Sequence, residues 1–165
     1  MPRFEESFRV NAARPLVWAL LDDPARVAAC VPGCEEVVGE GDGRFRARLR
    51  VKVGPLATTQ RLTLTVTERA APARLAATGQ GEDGALASRV SLRTAVELRE
   101  AAGGAATDVT CRVEVQLTGR LATLGESVMR AKSAQMVRDF AGRLAAAIGA
   151  TGEAPAAATE RPATG

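Results

Sequence analysis

The chain has no histidine and no tyrosine, and aromatic residues make up only 3% of its 165 positions. Without histidine it lacks the side chain that most often moves protons near neutral pH, so Asp, Glu, Lys and Cys would have to carry any acid–base chemistry. One tryptophan, Trp18, and four phenylalanines offer few rings on which bases could stack. Nucleic acid is therefore not an expected partner, and the modest net charge of +3 does not argue for one. Cysteine is scarce and odd in number: Cys30, Cys34 and Cys111. Such a set suits free thiols in a reducing cytoplasm better than a disulfide scaffold. No fourth ligand accompanies the three, so no metal is expected, and Cys34 has no histidine to activate it as a nucleophile. No apolar run approaches the length of a membrane span, and the opening MPRFEESF does not have the pattern of a signal peptide. Any meeting with a membrane is expected to be peripheral.

What is present is a globular composition, 46% hydrophobic and 25% charged, on a chain the size of one domain. Residues 3–10 alternate as a strand. Asn11–Asp23 reads as a short helix with Pro15 in its first turn, and Pro24–Cys30 as a second, ended by Pro32-Gly33. From Cys34 the period changes to two. CEEVVGEG is a strand that turns at Gly41-Asp42-Gly43. The next stretch has the sharpest alternation in the chain: Phe45, Ala47, Leu49, Val51 and Val53 face one way, and Arg44, Arg46, Arg48, Arg50 and Lys52 the other. Past Gly54-Pro55, an inner face of Leu56, Thr58, Gln60, Leu62, Leu64 and Val66 follows. Leu75, Ala77, Gly79 and Gly81 mark a weaker strand. Leu86, Val90, Leu92, Thr94, Val96 and Leu98 mark another, and Val109, Cys111, Val113, Val115 and Leu117 the last.

Thr118–Ala150 is the one long helical segment. Leu121, Leu124, Val128, Met129, Met136, Val137, Phe140, Leu144 and Ile148 recur at spacings of three and four, which puts them on one stripe. Thr123 and Glu126 fit a capping box, and Gly149 a helix stop. The tail, residues 151–165, is rich in Ala, Pro and Thr and is expected to be disordered, which leaves 1–150 as the folded domain. Successive strands with short links form an antiparallel meander with one oily face, and one long helix can cover it. The expected class is α+β: a curved antiparallel sheet of six to seven strands, two short helices and a long C-terminal helix across it.

That order resembles the helix-grip fold of the START, Bet v 1 and polyketide-cyclase (SRPBCC) superfamily. Local sequence narrows the resemblance. VPGCEEV at 31–37, RVKVGPL at 50–56 and TGRLATLGESVMRAKSAQMVRDFAGRL at 118–144 are similar to the CoxG family of carbon monoxide dehydrogenase subunits, within a resemblance that covers roughly residues 3–148. CoxG proteins are encoded with molybdenum-containing carbon monoxide dehydrogenases and related hydroxylases. They are associated with attaching the enzyme to the cytoplasmic membrane and with binding quinone-like molecules. The resemblance therefore implies a non-enzymatic protein with no cofactor of its own. It would bind a hydrophobic small molecule, a quinone or a lipid, and have a molybdenum hydroxylase as partner. Longer members carry a membrane-seeking tail. The tail here has no apolar anchor, which favours a cytoplasmic carrier, docked at most transiently on the inner face of the cell membrane.

The inner strand faces carry Leu, Val, Ala, Gly and Thr, and the small residues Ala47, Ala77, Gly79 and Gly81 leave room for a cavity. The alternative is a dry core filled by Trp18 and the short helices. The expected cavity lining is Trp18, Val31, Leu49, Val51, Gln60, Leu62, Leu64, Leu92, Thr94, Cys111, Val113, Val128, Met129, Met136 and Phe140. Gln60 and Thr94 would meet a polar head group, or else sit at strand ends against water and backbone. No carboxylate is read on the inner faces, which weighs against a cyclase- or hydratase-like enzyme on this fold. A recruitment factor with a solid core is the third possibility. Arg44, Arg46, Arg48, Arg50 and Lys52 form either a solvated face or a dock for anionic lipid or an acidic partner. The Pro32-Gly33 turn is read as structural.

Overall fold

The computed structural model describes residues 2–149. Seven strands form one antiparallel sheet: β1 (Arg3–Val10), β2 (Cys34–Gly41), β3 (Arg44–Val53), β4 (Leu56–Ala70), β5 (Arg74–Asp83), β6 (Ser88–Ala101) and β7 (Ala106–Thr118). Two short helices, α1 (Arg14–Leu21) and α2 (Pro24–Cys30), lie between β1 and β2, and α3 (Glu126–Gly149) ends the described chain. The arrangement is the α+β helix-grip fold.

The meander holds for β2 to β7 but not for β1. The sheet order is β1-β7-β6-β5-β4-β3-β2, so the first strand pairs with the last. The two short helices thus carry the chain from one sheet edge to the other. Pro15 sits in the first turn of α1, and Asp23 caps α2 by accepting from the backbone N–H groups of Ala25 and Arg26 at 3.1 and 3.4 Å. Breaks in register between Cys34 and Glu36, Gly39 and Gly41, and Val66 and Glu68 mark bulges, which bend strands and curl a sheet.

Two local expectations are corrected. Thr123 does not cap the long helix. Residues Arg120–Leu124 form a 3₁₀ turn between Gly119 and Gly125, both at positive φ, and the Thr123 hydroxyl donates to the Arg120 carbonyl instead. The helix begins at Glu126, which pairs with Arg130 at 3.1 Å. Gly119 has no substitute: a Cβ there would lie 2.0 Å from the Ala87 carbonyl oxygen. Leu86 belongs to a short 3₁₀ turn, Gly84–Leu86, and Ser88 takes the buried inner position at the start of β6. The tail from Thr151 lies outside the described residues, and α3 is still helical at Gly149.

The packed core occupies one end of the molecule. Phe8, Val10, Val17, Trp18, Leu20, Leu98, Val109, Cys111, Leu144 and Ile148 form it, from β1, α1, the adjoining ends of β6 and β7 and the C-terminal half of α3. The backbone of α3 runs closest to β1, also touches α2 and β3, and approaches β4, β5 and β6 little or not at all. The middle of the sheet's inner face lies outside this packed core.

Candidate functional site, a half-open apolar groove

Cross-strand pairing sets the inner-face side chains in rows. One row joins Ala47, Leu62, Gly81, Val90 and Leu117; the next joins Phe45, Leu64, Gly79, Leu92 and Val115; a third joins Val66, Ala77, Thr94, Val113 and Phe4. Rows on one face follow one another at about 7 Å, so the three cover about 15–20 Å of strand. Beyond the third row lies the packed core, beginning with Val96 and Cys111. Before the first row come Leu49 with Gln60, and Val51 with Thr58.

Apart from Leu62, Gly79 and Gly81, every residue of the three rows is only half-buried, although the rows lie on the inner face. Met129, Met136 and Phe140 on α3 are half-buried too, and so is Lys132, which shares their face at helical spacing. A solid core would bring such apolar side chains close to zero exposure. This half of the molecule is a groove that leaves water-sized space along the apolar rows, not a solid core. The glycines do not create its volume. A Cβ on Gly79 would lie 2.7 Å from Leu64 Cδ2, and one on Gly81 would lie 2.5 Å from Leu62 Cδ2. The leucines already lie over the bare backbone.

Of the expected lining, Leu49, Val51, Leu64, Leu92, Thr94, Val113, Met129, Met136 and Phe140 are half-buried on the sheet's inner face or on α3, and Leu62 and Gln60 are buried among them. Phe140 also packs against the core and marks the boundary. Trp18 and Cys111 are not brought to the groove. Both belong to the packed core, and the Arg69 guanidinium lies 5.8 Å from the Trp18 ring centroid. Val128 is 41% exposed on the first turn of α3, off the core stripe. Val31 is half-buried in the turn before β2.

The polar end of the groove is a connected chain. Asp83 accepts from the Thr58 hydroxyl at 2.8 Å and from the backbone N–H groups of Thr59 and Ala85, both at 3.0 Å. Gln60 Nε2 donates to Thr58 Oγ1 at 2.9 Å and to Ser88 Oγ at 3.1 Å. The hydrogen bond from Thr58 holds the Asp83 carboxyl below its ordinary pKa. Thr58 and Gln60 were legible by alternation; Asp83 and Ser88 were not, because a turn interrupts the pattern between them.

Glu6 corrects a further expectation. It pairs with Cys111 across β1 and β7, in register with Phe8 and Val10, so a half-buried carboxylate does sit on the inner face. Burial first, and then the charge of Glu6, push the Cys111 thiol up to about 12. Desolvation also raises Cys30 and Cys34, so none of the three is poised as a thiolate nucleophile.

On the outer face, the cationic stripe is partly spent. Arg46 pairs with Glu40 at 2.6 Å, and Arg48 with Glu35 and Glu36 at 3.0 and 2.9 Å, all from the edge strand β2. Arg44, Arg50 and Lys52 have no ion pair among the described residues. Arg50 and Lys52 rim a cleft of about 390 Å³ at the sheet edge, with Gly33, Cys34, Glu35, Val51 and Ala57. A second cleft, about 500 Å³, lies over Arg9, Glu97, Asp108 and Arg112, which pair with one another or with neighbours. Among the described residues no cluster of His, Cys, Asp or Glu is arranged to hold a metal, and no helix is long and apolar enough to cross a membrane.

The fold has many solved counterparts. A conserved protein from Geobacillus kaustophilus superposes with a TM-score of 0.79 at 19% identity, covering 89% of this chain and 95% of the other. The Zhui aromatase/cyclase from Streptomyces sp. R1128 gives 0.57 at 18% identity, covering 92% and 98%. A protein from Arthrobacter aurescens gives 0.61 at 18%, covering 96% and 90%. At these identities the likeness is one of fold alone. No functionally curated protein matches the chain. At the level of sequence, the model of the CoxG family of carbon monoxide dehydrogenase subunits matches residues 7–149, and the chain belongs to that family.

Proposed function

We propose that this protein is a non-enzymatic carrier. It holds a hydrophobic small molecule, a membrane quinone or a lipid, in the groove between the sheet and α3. It brings that molecule, or the membrane surface itself, to a molybdenum-containing hydroxylase of the carbon monoxide dehydrogenase type. It works in the cytoplasm, docked peripherally on the inner face of the cell membrane. The observation that carries the reading is the incomplete burial of the apolar rows around Leu64, Leu92 and Val113 on the inner face. An unfilled apolar groove loses both hydrophobic stabilisation and dispersion contacts, and a ligand tail restores them. Each 100 Å² of apolar tail taken out of water contributes about 2.5 kcal/mol. Membership of the family supports an enzyme partner of this type. The unpaired Arg50 and Lys52, beside the cleft at the sheet edge, suit an anionic surface from which such a ligand is drawn.

Native mass spectrometry of protein made in its own host tests this. The expected result is a retained adduct of quinone or lipid mass; bare protein after mild handling contradicts it and favours a recruitment factor that uses only its surface. A cyclase- or hydratase-like enzyme has Glu6 in its favour. Against it, no hydrogen bond orients the Glu6 carboxylate among the described residues, and the chain has no histidine to share the proton work. If Glu6 is catalytic, Glu6→Gln abolishes turnover of a polyketide-type substrate; on the carrier reading there is no turnover to lose.

A further inference from the structure

Gln60 is 4% exposed, and its Oε1 is one of two buried side-chain atoms in the described residues without a hydrogen-bond partner. The orientation of its amide is fixed by its neighbours. The Asp83 carboxylate can only accept, so it takes the single proton of Thr58. Thr58 Oγ1 must then accept from Gln60, which turns Nε2 toward it; Ser88 Oγ lies on the other Nε2 proton. Flipping the amide would set two acceptors, Oε1 and Thr58 Oγ1, against each other. Both amide protons are thus committed, and Oε1 is left facing Gly81: a Cβ on that residue would lie 3.1 Å from it. Gly81 belongs to the first apolar row, so the free acceptor looks from the polar end into the groove.

We propose that Gln60 Oε1 forms a donor-selective subsite that takes the hydroxyl of a ligand head group and discriminates against a head group offering only carbonyl or ether oxygens. The inference rests on the carrier reading above and narrows its ligand to a hydroxyl-bearing head, that of the reduced form of a quinone and not of the oxidised form, followed by an apolar tail along the three rows. A quinone carbonyl brought to the same place meets an acceptor with no proton between them. A donor satisfies a group whose isolation costs free energy in the folded protein. To reach Oε1 the ligand shifts the tips of Leu62 and Val90, which lie beside Gly81. The sequence leaves open which end of the Gln60 amide meets a head group; the hydrogen bonds to Thr58 and Ser88 decide it in favour of the acceptor.

The test compares three probes with one decyl tail: the hydroquinone, its dimethyl ether and the quinone, titrated anaerobically into the full chain. The hydroquinone is expected to bind about tenfold more tightly than the ether, the equivalent of about 1.4 kcal/mol, and the quinone no better than the ether. In Gln60→Leu that preference falls to within about twofold while the ether still binds. Equal binding of hydroquinone and ether to the unaltered protein overturns the subsite and leaves the carrier reading standing. Binding of none of the three overturns the subsite and removes quinones from the carrier reading, leaving a lipid as the ligand that native mass spectrometry must show. The comparison on the unaltered protein decides the question even if Gln60→Leu does not fold.

Discussion

Gly33 shows how tightly single residues are specified around the groove. Its φ is +84°, its carbonyl accepts from the Arg50 N–H at 2.9 Å, and a Cβ would lie 2.2 Å from the Arg50 carbonyl oxygen. The turn must therefore dock bare backbone on β3, which is why Gly follows Pro32 there. Gly33→Ala is expected to cost at least about 2 kcal/mol in urea unfolding; an unchanged midpoint contradicts this. Asp83 gives a pH signature. Its folded pKa is depressed, so its contribution is present above the ordinary carboxylate value of about 3.9 and is lost as pH falls through the folded value. Asp83→Asn should thus be less stable than the unaltered protein near pH 7, with the gap closing below about pH 4. A gap independent of pH would mean that the carboxylate charge is not what holds Thr58 and the Thr59 backbone. The identity of Gln60 as an inner residue was plain from alternation. The direction of its amide was not, since Asp83 and Ser88 flank a turn, Gly84–Leu86, that the pattern does not encode.

At the scale of elements, the long helix has two halves with different work. Val137, Ala141, Leu144, Ala145 and Ile148 are buried in the core, whereas Met129 and Met136 are half-exposed and Val128 is exposed. Leu144→Ala should cost about 2–5 kcal/mol, as large-to-small core changes do. Met129→Ala should cost under about 1 kcal/mol of stability and weaken ligand binding instead. Amide exchange should be faster over residues 126–135 than over 137–148 in the ligand-free protein, and equalise on binding. Uniform protection without ligand contradicts the division. Strand periodicity made the β2–β7 faces legible, because one face is oily and the other charged. Helix periodicity found the stripe but not where it stops being core, since spacing reports a face and not what covers it. The capping box at Thr123 failed because two glycines at positive φ favour a 3₁₀ turn first. Glu6 is hidden by its charge: alternation is followed through apolar residues, although a position between Phe4 and Phe8 puts it inside.

At the scale of the whole molecule, the sheet's outer face carries both tied and untied cations. From β1 across β7, β6 and the start of β5 to the end of β4, Arg9, Arg112 and Arg74 are tied to Asp108, Glu5, Glu97 and Glu68. Toward the opposite edge Arg44, Arg50 and Lys52 remain unpaired, near the cleft beside Gly33. The protein should bind anionic vesicles in flotation, more weakly as salt rises toward a Debye length of about 3 Å at 1 M, and Arg50→Glu with Lys52→Glu should reduce binding severalfold. Equal binding to neutral vesicles contradicts a charged dock. The packed end fixes the fold, and on the proposed reading the less packed end takes the ligand. Methyl NMR on adding a decyl-tailed hydroquinone tests that division most directly. The account predicts shifts at Leu64, Leu92, Val113, Met129 and Met136, with Leu98, Val109 and Leu144 unmoved; shifts confined to the packed end, or none at saturating probe, would contradict it.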